Sequence, residues 1–330
     1  MREIAVVIHD AGAAQVLVSL IKANFDYANW HIFTPLNSPA HKITDSNGLK
    51  LQTSTVKEIS PDLIFYGTSW QNDFHLDFLN YAKKHTIKTV AFLDNWENYR
   101  KRFNNIFPDF ICVNDNLAYE TAKYEGLTSL IKMKDYATIN ILNKRKNIKE
   151  QNTLLILSEP TARVAKNSYD DANYWGYTET SWMQDILDNF ELFECSSLTI
   201  RLHPSDNPLM YENIMQSYKH INYTIEQKSE LIDNLLLNYT IEQKSELIDN
   251  LLSSKIILGN NTVALYYAYL LNKLSISYIP SKNRTCNLPI AKRNQIQSFH
   301  QFKLSNFEKN SSNRVNEFGI DFKTLLERLS

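Results

Sequence analysis

The sequence predicts an α/β fold in which two Rossmann-like domains face each other across a cleft. Short apolar runs of strand length alternate with helix-like segments in both halves of the chain, and polar residues directly follow several of these runs. Such alternation indicates parallel strands joined by crossover helices. The chain has 330 residues, and at roughly 100–200 residues per domain it has room for two domains.

The first half of the chain carries five predicted strands and three predicted helices. The strands are Ile4–Ile8, His31–Phe33, Leu63–Tyr66, Thr89–Leu93 and Phe110–Val113, and the helices are Ala13–Ala23, Phe74–Lys84 and Leu117–Tyr124. A polar segment without aromatic residues follows at Asn140–Asn152. This segment predicts a domain boundary, with one domain over residues 1–145 and a second over residues 146–330.

The second half repeats the alternation. Its predicted strands are Leu154–Leu157, Leu198–Leu202, Ile256–Leu258 and Ser275–Tyr278, and its predicted helices are Trp182–Phe190, Val263–Leu271 and Phe322–Ser330. The second domain is therefore expected to hold a parallel sheet of its own.

A tandem duplication interrupts the second domain. Asn222–Leu237 is repeated as Asn238–Ser253 with 15 of 16 positions identical. A solenoid needs at least three repeats, so we interpret the pair as a duplication inside one strand–helix unit. A 16-residue insert rotates a continuous helix by about 160°, so both copies cannot bury their Leu/Ile stripe on one face. One copy is expected to be extra, and a partner-binding element is the alternative.

Charge and cysteine usage limit the environment and the partners. The formal net charge is −1, which provides no overall field for nucleic acid or anionic lipid. A basic loop with Lys282, Arg284, Lys292 and Arg293 is either a local phosphate or membrane contact or a solvated face. Three widely spaced cysteines without a CxxC pair fit a reducing compartment.

The N-terminal sequence and the length of the apolar runs predict the cellular location of the protein. The N-terminus MREIAVVIHD enters a strand without a signal peptide, and no apolar run approaches the ~20 residues that span a bilayer. We therefore expect a cytoplasmic protein, with peripheral contact at the inner face of the membrane as an option.

Two stretches of the second domain predict a phosphate site. In LTIRLHPSDNP the polar residues Arg201 and His203 end a strand, and in the second stretch Gly259-Asn260-Asn261-Thr262 lies between a strand and a helix. A helix N-terminus offers free N–H groups and a positive dipole end to an anion. Ligands of open α/β sheets bind at the carboxyl ends of strands. The alternatives are a structural histidine and a simple helix N-cap at Thr262.

Ser158 and Glu159 end the first strand of the second domain. The phosphate site predicts a phosphorylated ligand, with a nucleotide-sugar as the first hypothesis. Because Ser158 and Glu159 share the same predicted sheet edge, the ribose or base of that donor could lie against them. A simple turn is the alternative.

The first domain offers candidates for a general base and an acceptor site. His9 and Asp10 follow its first strand, and Asp94 follows its fourth. A transferase that moves a glycosyl group to a hydroxyl needs a base for the hydroxyl proton, and a carboxylate or an imidazole can serve. The alternative for Asp10 is the N-cap of the next helix. We predict Asp10 as the first choice of base, Asp94 as the second and His9 as the third.

Two strand-end loops of the first domain carry the predicted acceptor contacts. They are Thr68 and Ser69 in GTSW, and Trp96 and Arg100 in FLDNWENYRKRF. Aromatic and charged groups after a strand suit a sugar, and a loop packed at a domain interface is the alternative.

Absent motifs exclude several classes of enzyme. GxGxxG and GxxxxGK[ST] do not occur, which disfavours dehydrogenases and Walker-type NTPases. DxD is also absent, which disfavours a metal-dependent single-domain sugar transferase. We therefore predict no metal and no cofactor, so that His203, Arg201 and a helix N-terminus must stabilise the leaving group.

The second half resembles bacterial GT-B glycosyltransferases, especially sialyltransferase-like and polysialyltransferase-like enzymes with an HP motif and a downstream Ser/Thr motif. The matching residues are His203-Pro204 and Asn260-Asn261-Thr262. The resemblance implies that His203 and Thr262 contact the nucleotide phosphate of the donor. The run GNNTVALYYAYLLNKLSISYIP is also similar to non-hydrolysing UDP-GlcNAc 2-epimerases, and GTSW, LSEP and GYTE resemble bacterial polysaccharide-biosynthesis proteins.

Residues and resemblance together predict a metal-independent, inverting glycosyltransferase. Its donor would be a nucleotide-sugar in which a nonulosonic acid is activated by CMP. Its acceptor would be a glycan of a bacterial capsule or lipopolysaccharide. The first domain would hold the acceptor and the second the donor. The predicted donor-binding residues are Ser158, Glu159, Arg201, His203, Gly259, Asn260, Asn261 and Thr262. The alternatives are a nucleotide-sugar 2-epimerase, a CDP-polyol phosphotransferase and an inactive sugar-nucleotide-binding protein.

Overall fold

The computed structural model describes residues 1–53, 55–68, 73–103, 105–144, 147–227, 246–310 and 319–329. The chain divides into two units, Met1–Asn143 with Asn313–Ser330, and Lys144–Ser312. Each unit carries one six-stranded sheet, and every strand pair of the two sheets is parallel. The predicted α/β class with two parallel-sheet domains is confirmed.

The first unit contains β1 (Arg2–Val7), β2 (Ala28–Phe33), β3 (Leu63–Gly67), β4 (Lys88–Leu93), β5 (Phe110–Val113) and β6 (Leu130–Lys132), in the order β2-β1-β3-β4-β5-β6. Its helices are α1 (Ala11–Ala23), α2 (Pro39–Ser46), α3 (Val56–Ile59), α4 (Leu76–His85), α5 (Asn116–Tyr124) and α6 (Tyr136–Asn143). Strand β3 is buried along its whole length, as expected for an apolar run in the middle of a parallel sheet.

The second unit contains β7 (Gln151–Leu157), β8 (Ser197–Leu202), β9 (Tyr223–Gln227), β10 (Ser254–Gly259), β11 (Leu274–Tyr278) and β12 (Gln295–Ile296), in the order β12-β11-β10-β7-β8-β9. Its helices are α7 (Thr161–Tyr169), α8 (Glu179–Asp188), α9 (Pro208–Met215), α10 (Leu247–Ser253) and α11 (Val263–Leu270). In the part of the chain that the structure describes, no helix is long and apolar enough to cross a bilayer.

The strand order positions one crevice in each unit. In the first sheet the chain runs from β1 to β2 on one side and then continues at β3 on the other side of β1. In the second sheet it runs from β7 to β8 and β9 on one side and then continues at β10 on the other side of β7. Ligands of open α/β sheets bind at the carboxyl ends of the strands where the order reverses. Candidate sites are therefore expected between the carboxyl ends of β1 and β3, and between those of β7 and β10.

Helix α1 packs very closely on the end of β3. A Cβ atom built on Gly67 would overlap the Cβ atom of Ala13, so this position requires glycine. Ala13, Leu17 and Ile21 bury the apolar face of α1 in the core of the first unit. The close approach fixes the first turn of α1, and with it the residues after β1, beside the carboxyl end of β3.

The C-terminal segment belongs to the first unit. Helix α12 (Phe322–Arg328) places Phe322 in the core of that unit, with ring centroids 5.1 Å from Trp30 and 6.4 Å from Phe65. Ile320 also forms a parallel bridge with Met133. The prediction of one domain over residues 146–330 therefore differs from the structure for this segment. A short apolar helix fits either core by its pattern alone, so the sequence did not distinguish them.

The described part of the duplication uses one half of each copy. The first copy supplies β9, which pairs with β8, and the second copy supplies α10, whose residues Ile248, Leu251 and Leu252 are buried. The segment 228–245 lies outside the described residues. The prediction that one copy is extra falls on this segment. One strand and one helix correspond to a single copy of the repeated sequence.

Deletion of residues 228–243 is expected to leave the stability of the second unit unchanged. The deletion joins Gln227 to Lys244 and restores one intact copy, NYTIEQKSELIDNLLS, with the β9 and α10 residues unaltered. The melting temperature should stay within about 2–4 °C, which corresponds to roughly 1 kcal/mol in a domain of this size. The control is Leu251→Ala, since Leu251 is fully buried and its truncation should cost about 2–5 kcal/mol. A loss of stability in the deletion variant as large as in this control would contradict the expectation.

Candidate functional site

Ser158 connects the ends of β7 and β8 in the second unit. Its Oγ atom accepts a hydrogen bond from the backbone N–H of His203 at 2.8 Å and donates one to Asp206 Oδ2 at 2.5 Å. Ser158 N also donates to the carbonyl of Arg201 at 3.1 Å. The loop after β8 is thus held against the end of β7, which places His203 at this edge of the sheet.

The hydrogen bonds of His203 fix its tautomer. The backbone N–H of Ser205 donates to His203 Nδ1 at 3.2 Å, and Ser205 Oγ lies 2.6 Å from the same atom. Partial desolvation lowers the pKa of His203 below its ordinary value, which favours the neutral ring. Because Nδ1 accepts, the proton of the neutral ring is on Nε2. His203 therefore offers one N–H donor at Nε2, and Arg163 donates to the carbonyl of Ser205 at 3.5 Å beside it.

The residues after β10 form the entry to helix α11. Thr262 is the N-cap, and its Oγ1 accepts from Ala264 N at 3.4 Å, as in the capping alternative. Asn261 Oδ1 accepts from Asn287 N at 2.9 Å, which fixes the loop after β11. Gly259 lies so close to Thr262 that an added Cβ would be 3.3 Å from its Cγ2 atom. The backbone is therefore tightly constrained at this helix N-terminus.

Asn260 is the buried member of this entry. It is 1% exposed, and its Nδ2 donates to Thr161 Oγ1 at 3.4 Å. Its Oδ1 atom has no hydrogen-bond partner among the described residues. A buried acceptor without a partner is unfavourable, so the polar groups at the β7–β10 crevice are incompletely satisfied by the protein itself.

Glu159 and Arg284 form an ion pair at the β7–β10 crevice. Glu159 Oε1 accepts from the backbone N–H of Asn261 at 2.6 Å, and Oε2 lies 3.1 Å from Arg284 Nη2. Arg284 also donates to the Tyr177 hydroxyl at 2.8 Å, and its Cζ atom lies 4.5 Å from the centre of the Trp175 ring. The guanidinium is thus fixed in position by three groups.

Sequence reasoning named Arg284 only within a basic loop whose alternatives were a phosphate or membrane contact and a solvated face, and it did not predict Arg163, Tyr177 or Trp175 as site residues. Arg284 follows β11, so the rule that polar residues at strand ends form sites could have found it. Its pairing with Glu159 joins residues 125 positions apart, which no local pattern reveals.

Arg201 has partners in the interior of the second unit. Its guanidinium donates to Glu226 Oε2 at 3.4 Å and to Asn250 Oδ1, which belong to β9 and α10. Burial lowers the pKa of Arg201 although Glu226 opposes this shift. These contacts join the sheet to α10, and a contact of Arg201 with a donor stays a prediction.

His9 and Asp10 form a pair at the end of β1 in the first unit. His9 Nδ1 lies 2.5 Å from Asp10 Oδ1, and both side chains are partly buried. Asp10 occupies the N-cap position of α1, but its side chain makes no capping hydrogen bond. The capping alternative is therefore wrong, and the carboxylate of Asp10 orients the imidazole of His9 instead.

Asp94 lies against the first turn of α1. Its Oδ1 atom is 3.4 Å from Arg102 Nη1, and a Cβ atom on Gly12 would overlap its Oδ2 atom. Burial raises the pKa of Asp94, Arg102 opposes this shift, and Asp10 adds to it. Arg102 also donates to Thr68 Oγ1 at 3.3 Å. The structure thus brings Asp94 and Thr68 together through Arg102, with Asp10 close enough to influence Asp94.

Trp96 and Arg100 contact other parts of the first unit. Trp96 is 5% exposed and donates its indole N–H to Asp115 Oδ2 at 2.7 Å. Arg100 donates from its backbone and its guanidinium to Glu125, at 2.8 and 3.1 Å. These contacts fix the loop after β4 on α5. Ser69 lies outside the described residues, and the acceptor roles of all three stay predictions.

A buried histidine near Asp10 was not predicted. The ring of His75 stacks on Tyr66 with centroids 5.3 Å apart, and His75 Nε2 and the Tyr66 hydroxyl have no partner among the described residues. Burial lowers the pKa of His75, against the opposing influence of Asp73 and Asp10. His75 is therefore a neutral neighbour of the His9–Asp10 pair.

Comparisons with known proteins support the fold and give no family by sequence. No protein-family model matches the chain, and no curated protein matches it. The structure is similar to UDP-GlcNAc 2-epimerase from Neisseria meningitidis bound to UDP-GlcNAc, with a TM-score of 0.57, 11% identity and 99% of both chains covered.

Two further solved structures have the same scaffold. A glycosyltransferase from Rickettsia africae has a TM-score of 0.51 at 10% identity, with 84% of this chain and 79% of that chain covered. The HepE protein of Anabaena in complex with UDP has a TM-score of 0.50 at 9% identity, with 84% and 80% covered. The fold is therefore that of GT-B proteins with two Rossmann-like domains, as predicted.

Proposed function

We propose that this protein is a glycosyltransferase that uses a nucleotide-sugar donor. The observation that carries the proposal is the set of anion-binding groups at the β7–β10 crevice of the second unit. Arg284 follows β11, the N–H of Asn261 lies between β10 and α11, and the Nε2–H of His203 follows β8, with β7 between β10 and β8 in the sheet. Two of the similar structures hold UDP-GlcNAc or UDP.

These groups suit the leaving group of a sugar transfer. When the glycosidic bond to the donor breaks, negative charge develops on the departing phosphate. A guanidinium binds phosphate through two parallel N–H groups, and a helix N-terminus adds N–H donors and a positive dipole end. Such preorganised donors can stabilise the developing charge without a metal ion.

The first unit supplies the general base. Asp10 holds His9 at Nδ1, so that Nε2 of the neutral imidazole is unprotonated and can accept the proton of an acceptor hydroxyl. In the same displacement the acceptor oxygen bonds to the anomeric carbon, the donor phosphate leaves, and the anomeric configuration inverts. We therefore assign the base to His9 and a positioning role to Asp10, which reverses their order in the sequence prediction.

The proposed donor and acceptor follow from the resemblance to sialyltransferase-like enzymes with an HP motif. We propose a CMP-activated nonulosonic acid as the donor and a glycan of the bacterial surface as the acceptor. A UDP-sugar 2-epimerase is the second candidate function, because the N. meningitidis epimerase is similar over 99% of both chains. An epimerase would convert the donor sugar without any acceptor.

The test is a thermal-shift panel with CMP, CDP, UDP and GDP on the wild type and His203→Ala. A ligand that binds only the native state stabilises it by about 2.7 kcal/mol at 100 times its dissociation constant. We expect one nucleotide to raise the melting temperature of the wild type. His203→Ala should bind this nucleotide roughly 10–100-fold more weakly, since a hydrogen bond to a charged group contributes about 1.5–3 kcal/mol.

His220→Ala is the matched control, because His220 is an exposed histidine of the same unit. CMP selectivity would support the nonulosonate donor, and UDP selectivity would favour a UDP-sugar transferase or the epimerase. Product analysis with and without an acceptor then separates these two. No shift with any nucleotide would contradict the proposed function.

A further inference from the structure

The carboxylate of Glu159 occupies a position suited to a phosphate. One of its oxygens accepts the N–H of Asn261, just before the start of α11, at 2.6 Å, and the other pairs with Arg284 at 3.1 Å. The side chains of Glu159 and Arg284 are 14% and 17% exposed. An N–H group at a helix N-terminus and a guanidinium are the partners that proteins use for phosphate.

Arg284 needs a counter-charge at this position. The ring of Trp175 and the Tyr177 hydroxyl hold Arg284 in a largely buried place, and a buried guanidinium without a counter-charge is strongly unfavourable. In the described structure Glu159 provides that charge. A bound phosphate would provide the same charge, and it would compete with Glu159 for the Asn261 N–H, which has one hydrogen to donate.

The neighbouring Asn260 supports the view that the site is incomplete without a ligand. Its side chain is buried, and its Oδ1 atom has no hydrogen-bond partner among the described residues. Glu159 therefore satisfies the cationic and N–H donors of the crevice but leaves this acceptor unpaired. A ligand with both an anionic group and a hydroxyl could satisfy all of them.

We propose that Glu159 is an internal counter-anion, which holds the phosphate position in the free protein and is displaced when the donor phosphate binds. The proposal rests on the proposed function and adds a control of affinity to it. The phosphate diester of a CMP-activated sugar carries one negative charge and two non-bridging acceptor oxygens, so it can replace one carboxylate. The displacement lowers the affinity of the wild type for phosphate.

The experiment is a calorimetric titration of the whole protein with inorganic pyrophosphate. Glu159→Gln keeps the shape of the side chain and the acceptor for the Asn261 N–H, but removes the charge that neutralises Arg284. We expect the variant to bind pyrophosphate about tenfold more tightly, which equals about 1.4 kcal/mol. Glu191→Gln is the control, because it removes one exposed carboxylate of the same unit, and its affinity should stay within about twofold of the wild type.

A second measurement needs no variant and covers the case that Glu159→Gln does not fold. The backbone amide resonance of Asn261 in ¹⁵N-labelled wild type should shift on saturation with pyrophosphate, because its acceptor changes from carboxylate to phosphate. An unmoved resonance would overturn the proposal, as would pyrophosphate affinity in Glu159→Gln that is equal to or lower than that of the wild type.

The two proposals fail separately. If a nucleotide binds the wild type but Glu159→Gln does not tighten pyrophosphate binding, Glu159 is no counter-anion and the proposed function stands. If no nucleotide binds but pyrophosphate binds Glu159→Gln more tightly, the counter-anion stands and the proposed function fails.

Discussion

Replacement of His9 with glutamine is expected to lower the turnover number by roughly 10²–10⁴-fold, the usual contribution of a general base. Glutamine preserves much of the size and polarity of the side chain but cannot accept the proton of the acceptor hydroxyl. Nucleotide affinity should stay unchanged, because the donor-binding groups that we assign belong to the other unit. Initial rates and a nucleotide titration measure the two quantities separately.

The chain offers a matched control for this experiment. His31 Nε2 lies 2.5 Å from Glu3 Oε2, the same separation as that between His9 and Asp10, but the pair joins β1 and β2 away from the carboxyl ends of these strands. His31→Gln should retain wild-type turnover. Near wild-type turnover in His9→Gln would contradict the assignment, as would an equal loss in both histidine variants.

Replacement of Asp10 tests whether this residue orients His9 or accepts the proton itself. Asp10→Asn keeps a group that can contact His9 Nδ1 but removes the carboxylate, so we expect a smaller loss of turnover than in His9→Gln. If Asp10 itself were the base, its replacement would cost at least as much as that of His9.

The sequence was sufficient for the sheets and the edges where the sites lie. Buried parallel strands are continuous apolar runs, so Phe110–Val113 was predicted with its observed bounds, and the ends of β1, β7, β8 and β10 were each marked by polar residues. Strand β9 is less apolar: Tyr223 and Thr224 are exposed, and it forms an edge of the sheet. Its sequence therefore resembles a polar loop as much as a strand.

The sequence did not show which partner each polar side chain contacts. The role of Asp10 depended on whether its carboxylate turned to the α1 backbone or to His9, and both choices have the same sequence pattern. Arg284 pairs with a residue 125 positions away. Arg201 follows the pattern of a strand-end ligand, but its guanidinium contacts β9 and α10. Local patterns mark the edge of a sheet and do not determine the partner of each side chain.

Truncation of Phe322 to alanine is expected to destabilise the first unit by about 3–5 kcal/mol, the usual range for a buried phenylalanine. Phe322 is fully buried and contacts Trp30 and Phe65, so its removal leaves a cavity between α12 and the sheet. Chemical denaturation measures the loss. Tyr124→Ala is the control, because Tyr124 is an aromatic residue of the same unit with 92% exposure and should change stability by no more than about 0.5 kcal/mol.

Hydrogen exchange of Phe322→Ala then decides which unit α12 stabilises. Backbone amides open locally with the free energy of their own cooperative unit, so the strands of the first unit should lose protection in this variant. Amides of β7 and β10 in the second unit should keep theirs. Loss of protection in β7 and β10 instead would support the domain over residues 146–330 that the sequence predicts. The measurement thus tests whether helix α12 stabilises the core that the strands of the first unit form.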